Sequence, residues 1–195
     1  MIDPAINELA LTRSLSADIS AHSDSIEAAR QLPPQLVDML NRHGLFAMTI
    51  PRQLGGTERD PLHILKVIEE LAYADSAVAW CSMIYLTTAM SAAQLPAAWA
   101  KEIYEVKERV PITGGVTAPM GQAEPRGKDL EVTGRWAWGS GTHHCDWICG
   151  GSMVREGDGW RSSTNGAPAP HIVFFKRSEV ELQDNWNPSG LAGTT

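Results

Sequence analysis

Residues 134–147 read Gly134-Arg135-Trp136-Ala137-Trp138-Gly139-Ser140-Gly141-Thr142-His143-His144-Cys145-Asp146-Trp147. Glycines, indoles and a lone serine hydroxyl alternate at what reads as the end of a strand. Backbone N–H groups and one hydroxyl beside an indole suit a planar heteroaromatic ring with polar edges. The indole covers a face, and the hydroxyl and amides read the edge. The same residues also suit a plain turn, with Trp138 filling core and Ser140 acting as a cap. A second loop of similar character precedes it: Gly115-Val116-Thr117-Ala118-Pro119-Met120-Gly121.

Other motifs drop out. Gly114-Gly115 lacks the G-x-G-x-x-G spacing of a dinucleotide site, and no P-loop is present. Gly139-Ser140-Gly141 lacks the flanking residues of a nucleophile elbow. His143, His144, Cys145, Asp146 and Cys149 match no zinc spacing. On one strand Cys145 and Cys149 would share a face but stand about 13 Å apart, too far for one ion. No metal is expected, and Cys81 reads as a small core residue.

The chain around this stretch has 195 residues, 43% apolar and 20% charged, with a net charge of −7. It can bury a core as one large or two small domains. The acidic balance excludes a general nucleic-acid binder and a polybasic membrane anchor. Three cysteines make no disulfide framework, which predicts a reducing, cytoplasmic setting. No sufficiently long apolar run predicts a membrane span, and Met1-Ile2-Asp3-Pro4 does not begin like a signal peptide.

Composition changes near Val110-Pro111. Three of the 17 glycines precede it, and five of the seven tryptophans follow it. The expected organisation is a helical domain over 1–110 and a β domain over 111–195, an α+β order. In the first part Ile6, Leu9, Ala10, Arg13 and Ala17 begin a helical stripe that Ile19 and Ile26 continue. Pro33-Pro34 ends that helix and starts one carrying Leu36, Met39 and Leu40, stopped at His43-Gly44. Residues 50–56 read as a turn-rich connection. Asp60-Pro61 caps a helix with Leu62, Leu65, Ile68, Leu71 and Ala72 on one side. Ala77 to Leu95, uncharged throughout, predicts a helix buried on most sides, and Pro96 starts a last helix to about Lys107. Strands are expected at Thr113–Thr117, Leu130–Trp138, Trp147–Val154 and His171–Lys176.

Thr117-Ala118-Pro119, followed by Gly134, Trp138, Ser140 and Trp147 in register, resembles the flavin-binding segment of the acyl-CoA dehydrogenase superfamily. The helical part agrees at Leu54-Gly55-Gly56, Glu69-Glu70-Leu71-Ala72 and Ser76-Ala77, and Trp186 to Thr195 resembles the family's W-x-x-x-G-L-x-G-T stretch. Gly134-Arg135-Trp136, Ser140-Gly141 and His144-Cys145-Asp146-Trp147 look most like the two-component flavin-dependent monooxygenases, which include the 4-hydroxyphenylacetate and phenolic steroid hydroxylases. Ala118 stands where a dehydrogenase of the family usually has Glu.

The resemblance implies a helical bundle followed by a partial β-barrel or β-sandwich domain, without the family's C-terminal helical bundle. It implies reduced FAD or FMN delivered by a separate flavin reductase, a small aromatic or polycyclic substrate, and a homotetramer. Val116 and Thr117 would bond the flavin pyrimidine edge, Pro119 would complete that segment, Trp138 would pack on the ring, and Ser140 would sit near N5. His144 matches a histidine of the hydroxylases, as a catalytic or loop-orienting residue. Some hydroxylases also carry a histidine in the long apolar helix, but none lies between His63 and His143 here. The alternatives are an acyl-CoA dehydrogenase oxidising the α,β bond of a thioester, and a truncated, non-catalytic interaction module. The sequence ends midway through the family's β domain, so an incomplete flavin site with exposed apolar surface is expected.

Overall fold

The computed structural model describes residues 7–195; Met1-Ile2-Asp3-Pro4 and Ile6 lie outside them. Six α-helices come first: α1 (Glu8–Ser20), α2 (Ser23–Ala29), α3 (Pro34–Arg42), α4 (Pro61–Ala74), α5 (Ser76–Ala89) and α6 (Ala97–Tyr104). Five strands follow: β1 (Thr113–Arg126), β2 (Asp129–Gly134), β3 (Trp147–Glu156), β4 (Gly159–Trp160) and β5 (Pro170–Lys176). They form one mixed sheet. β1 pairs antiparallel with β2 and parallel with β3, while β4 and β5 both pair antiparallel with β3. Helices followed by a sheet are what the sequence predicts.

Local chemistry sets several of the helix ends. Asn7 Oδ1 accepts the Ala10 N–H at 3.1 Å, and Asp60 Oδ1 accepts the His63 N–H at 3.0 Å. Asp75 serves two helices. It follows α4, and its Oδ1 accepts the Ala77 and Val78 N–H groups at the start of α5, at 2.9 and 3.0 Å. Gly44, at φ 77°, turns the chain out of α3 as expected.

Several expectations are corrected. The first helix is two, with a break at Ala21-His22. The buried face of α1 is Glu8, Thr12, Leu15 and Ile19, not the stripe through Arg13 and Ala17. A carboxylate leads that face because Arg59 and His63 meet it. On α4 the buried residues are Val67, Leu71 and Ala74, whereas Leu62 and Leu65 are 61% and 62% exposed. The last helix stops at Tyr104. β1 runs well past Thr117, whereas β2 stops at Gly134 and leaves Arg135–Trp138 as loop. Cys145 lies before β3, so it shares no strand with Cys149.

β1 passes Pro119 by bulging, whereas Pro125 stays in register opposite Leu130 of β2. Val116 pairs with Gly150 and Pro119 with Gly151, so Thr117-Ala118 are the extra residues. A Cβ on Gly151 would lie 2.0 Å from the Thr117 carbonyl oxygen, so only glycine lets the bulge close down. α5 packs between α4 and β1. The continuous core therefore draws Leu40, Phe46, Val67, Leu71, Val78 and Tyr85 from the helical part, and Ile112, Cys145 and Ile148 from the sheet part. Ser76–Ala93 is long and apolar enough to cross a membrane by length and composition, but half of it is buried inside the fold, as in a core helix.

Candidate functional site

The loop between β2 and β3 is built from close contacts. Trp136 lies across Gly121, Gly134 and Gly150, where any Cβ would come within 2.4–2.5 Å of its ring, and its indole N–H donates to the Gly151 carbonyl at 2.8 Å. Those glycines serve the indole, which is fixed against the sheet. The chain then turns through Trp138, which has φ 63° and is 72% exposed. A tryptophan with left-handed backbone and an open ring is costly on both counts.

Next, Ser140 N–H donates to the Trp138 carbonyl at 2.9 Å, and Ser140 Oγ accepts the Trp80 indole N–H at 3.0 Å. Gly141 is held from two sides. Its N–H donates to the Thr194 carbonyl at 2.9 Å, and its carbonyl accepts the Tyr85 hydroxyl at 3.0 Å. Burial pushes the Tyr85 phenol well above its ordinary range, with Cys81 and Cys145 adding to the shift, so Tyr85 is a neutral donor.

Above this loop lies a cleft of about 830 Å³ that Val116, Trp138, Ser140, His143, Trp186 and Thr194 help to line. That volume suits a cofactor-sized ligand. Three of the candidate residues, Val116, Trp138 and Ser140, come together there. Thr117 and Pro119 are exposed on the β1 bulge and are not among the lining residues.

His144 also lies away from the cleft lining. It is half-buried and meets the Leu32 backbone, and its Nε2 is buried without a hydrogen-bond partner among the described residues. Burial, then the neighbouring His143, lowers its pKa. His143 is the histidine that reaches the cleft, and burial followed by the charge of Arg177 lowers its pKa too. Sequence reasoning missed His143, Thr194 and Trp80 as site residues. The resemblance singled out His144, whereas the neighbouring His143 carries no motif of its own, and Trp80 meets Ser140 only across 60 positions of sequence.

Residues 10–102 match the family described as acyl-CoA dehydrogenase, N-terminal domain. The chain is 26% identical over 174 residues to indole-3-acetate monooxygenase of Pseudomonas putida, covering 89% of this chain and 42% of that protein. It is 28% identical over 188 residues to the flavin-dependent monooxygenase, oxygenase subunit HsaA, of Mycobacterium tuberculosis, covering 95% of this chain and 45% of that one. The crystal structure of the M. tuberculosis HsaA monooxygenase superposes with a TM-score of 0.85 at 27% identity, covering 96% of this chain and 50% of the other. Residues 10–102 thus carry the likeness to the acyl-CoA dehydrogenase N-terminal domain. The chain as a whole shares its fold with acyl-CoA dehydrogenase-like monooxygenases over about half of their length, and its relatives are flavin-dependent monooxygenases. It spans about half the length of the curated relatives it matches.

The residues present fit a flavin. Trp138 leaves a ring face open, Ser140 keeps its hydroxyl hydrogen and one lone pair without a partner among the described residues, and Val116 contributes an apolar wall.

Proposed function

We propose that the chain supplies the flavin-facing wall of a monooxygenase that uses reduced flavin and O2 on a small aromatic or polycyclic molecule. The observation that carries this reading is the cleft that gathers Val116, Trp138 and Ser140. Reduced flavin, when bound, supplies the electrons that activate O2. Trp138 would cover one face of the ring and Ser140 would meet its polar edge. Val116 would keep water from the site, which matters because reduced flavin otherwise loses its electrons to O2 unproductively. Thr117 and Pro119 would act from the β1 bulge, through backbone at the margin of the cleft. His144, turned toward Leu32, would hold the loop rather than touch substrate.

The cofactor is FAD or FMN, delivered reduced by a separate flavin reductase. Two features support this: the relatives' naming as an oxygenase subunit, and the lack of a dinucleotide fingerprint in the sequence. The reading also takes the 1–110 and 111–195 division as functional, places the protein in the cytoplasm, and makes the working form a homotetramer.

Anaerobic titration of the chain with reduced and oxidised FMN and FAD tests the proposal. Saturable binding of a reduced flavin, weakened about two- to tenfold by Trp138→Ala, is expected, since a stacked aromatic face is worth about 0.5–1.5 kcal/mol. Binding of neither flavin in either redox state would refute this role for the chain.

A further inference from the structure

We propose that Trp80 is a positioning residue for Ser140, fixing the direction in which that hydroxyl meets the flavin. This deepens the flavin reading above and rests on it. An indole N–H only donates, whereas a serine hydroxyl has one hydrogen and two lone pairs. With the Trp80 N–H 3.0 Å from Ser140 Oγ, one lone pair is committed to α5. Trp80 offers no acceptor in return, so the Ser140 hydrogen cannot be spent on it. The hydrogen and second lone pair have no partner among the described residues, and Ser140 lines the cleft. The hydroxyl is therefore held to face a ligand there. To a bound flavin it would offer its hydrogen to an unprotonated ring nitrogen, or its lone pair to a ring N–H.

The surrounding backbone gives the bond a rigid base. Tyr85, also on α5, holds the Gly141 carbonyl, and Thr194 holds the Gly141 N–H. Gly141 has φ 69°, and a Cβ there would lie 2.6 Å from the Tyr85 hydroxyl oxygen, so loop and helix are in direct contact. One helix thus carries both the anchor of the loop backbone and the donor to its side chain.

The bond is not needed to satisfy a buried group. Trp80 is 42% exposed, so without Ser140 its N–H would bond to water. Stability gains little from the contact, whereas the orientation of a functional hydroxyl depends on it. Removing the donor lets Ser140 turn, so the N5 hydrogen of reduced flavin is held less well. More turnovers should then pass two electrons and two protons from the reduced flavin to O2, leaving oxidised flavin and H2O2.

The test is a double-mutant cycle on the whole chain using Trp80→Phe, Ser140→Ala and both together. Each variant is titrated anaerobically with reduced FMN and FAD, and followed by thermal unfolding. In parallel, the indole N–H resonance of Trp80 is recorded without flavin in the wild-type chain and in Ser140→Ala. Trp80→Phe should weaken reduced-flavin binding about two- to tenfold, the worth of one neutral hydrogen bond, while leaving the melting temperature in place. The double variant should bind no worse than Ser140→Ala alone, and the Trp80 indole resonance should move in Ser140→Ala. Strictly additive losses would make Trp80 a packing residue and overturn the proposal, as would unaltered binding by Trp80→Phe or an unmoved resonance. Failure of the wild-type chain to bind reduced flavin would instead overturn the flavin reading, and this inference with it.

Discussion

Glu8 has no exposed surface, yet it is charged. Burial alone would raise its carboxyl. The Arg59 hydrogen bond and charge, a backbone bond and the His63 bond outweigh this and hold it below its ordinary value. Arg59 Nε stands 2.8 Å from Glu8 Oε1, His63 Nε2 stands 3.0 Å from Oε2, and the Thr57 hydroxyl donates to Oε1 at 3.2 Å. Breaking such a cluster from one side strands the partners. Arg59 and His63 keep 22% and 25% exposure, so water softens the loss. Glu8→Ala should cost about 2–3 kcal/mol in urea unfolding, near the low end for a broken buried pair. Gly141 is constrained differently, by a positive φ and by the Tyr85 ring against its missing side chain. Gly141→Ala should destabilise by about 1–3 kcal/mol in the same measurement, and should weaken reduced-flavin binding by displacing Ser140.

The helices show how far periodicity reaches. α4 carries apolar residues around more of its circumference than its one buried side requires. Leu71 is buried, whereas Leu62, Leu65 and Tyr73 stand 61%, 62% and 78% exposed. Equal-looking leucines should therefore respond unequally. Leu71→Ala should cost about 2–5 kcal/mol, while Leu62→Ser should stay within about 0.5 kcal/mol, both read from chemical unfolding. α5 is charge-free and mostly buried, as the sequence predicts, but it stops at Ala89 rather than Leu95, and Trp80 and Thr87 face outward, followed by the exposed Met90 just past its end. In the sheet, the bulge at Thr117-Ala118 turns the predicted flavin-edge residues outward, while Val116 stays at the cleft.

For the molecule as a whole, the acid limb of stability follows from groups that the fold holds away from their ordinary titration. His143 and His144 have folded pKa values below their ordinary 6.5. As pH falls through 6.5 the unfolded chain takes up these protons first. Their contribution is complete above 6.5 and is lost as pH falls toward the folded values. Glu8 acts lower: its stabilisation is present above about 4.5 and is lost as pH falls through its depressed folded pKa. Urea midpoints measured from pH 7.5 to 5 should decline, and His143→Gln with His144→Gln together should flatten that decline. An unchanged slope in the double variant would remove the histidines as its cause.

The sequence by itself determined the order of helices then strands, the ends of α3 and the starts of α4 and α5, and the two loops that carry the resemblance. Each depends on neighbours in the chain: Asp60 on His63, Gly44 on the turn it makes, Ser140 on its flanking glycines. The exposed side of α4, the burial of Glu8, the turning of His144 toward Leu32 and the pairing of Trp80 with Ser140 were decided only by the tertiary structure. Periodicity reports that a helix has an apolar side, not which side finds a partner, and it cannot foresee that a carboxylate will be buried by a distant guanidinium. A hydrogen bond across 60 residues depends on how α5 lies against the loop after β2. That placement is fixed by packing α5 between α4 and β1, which no local stretch of sequence encodes.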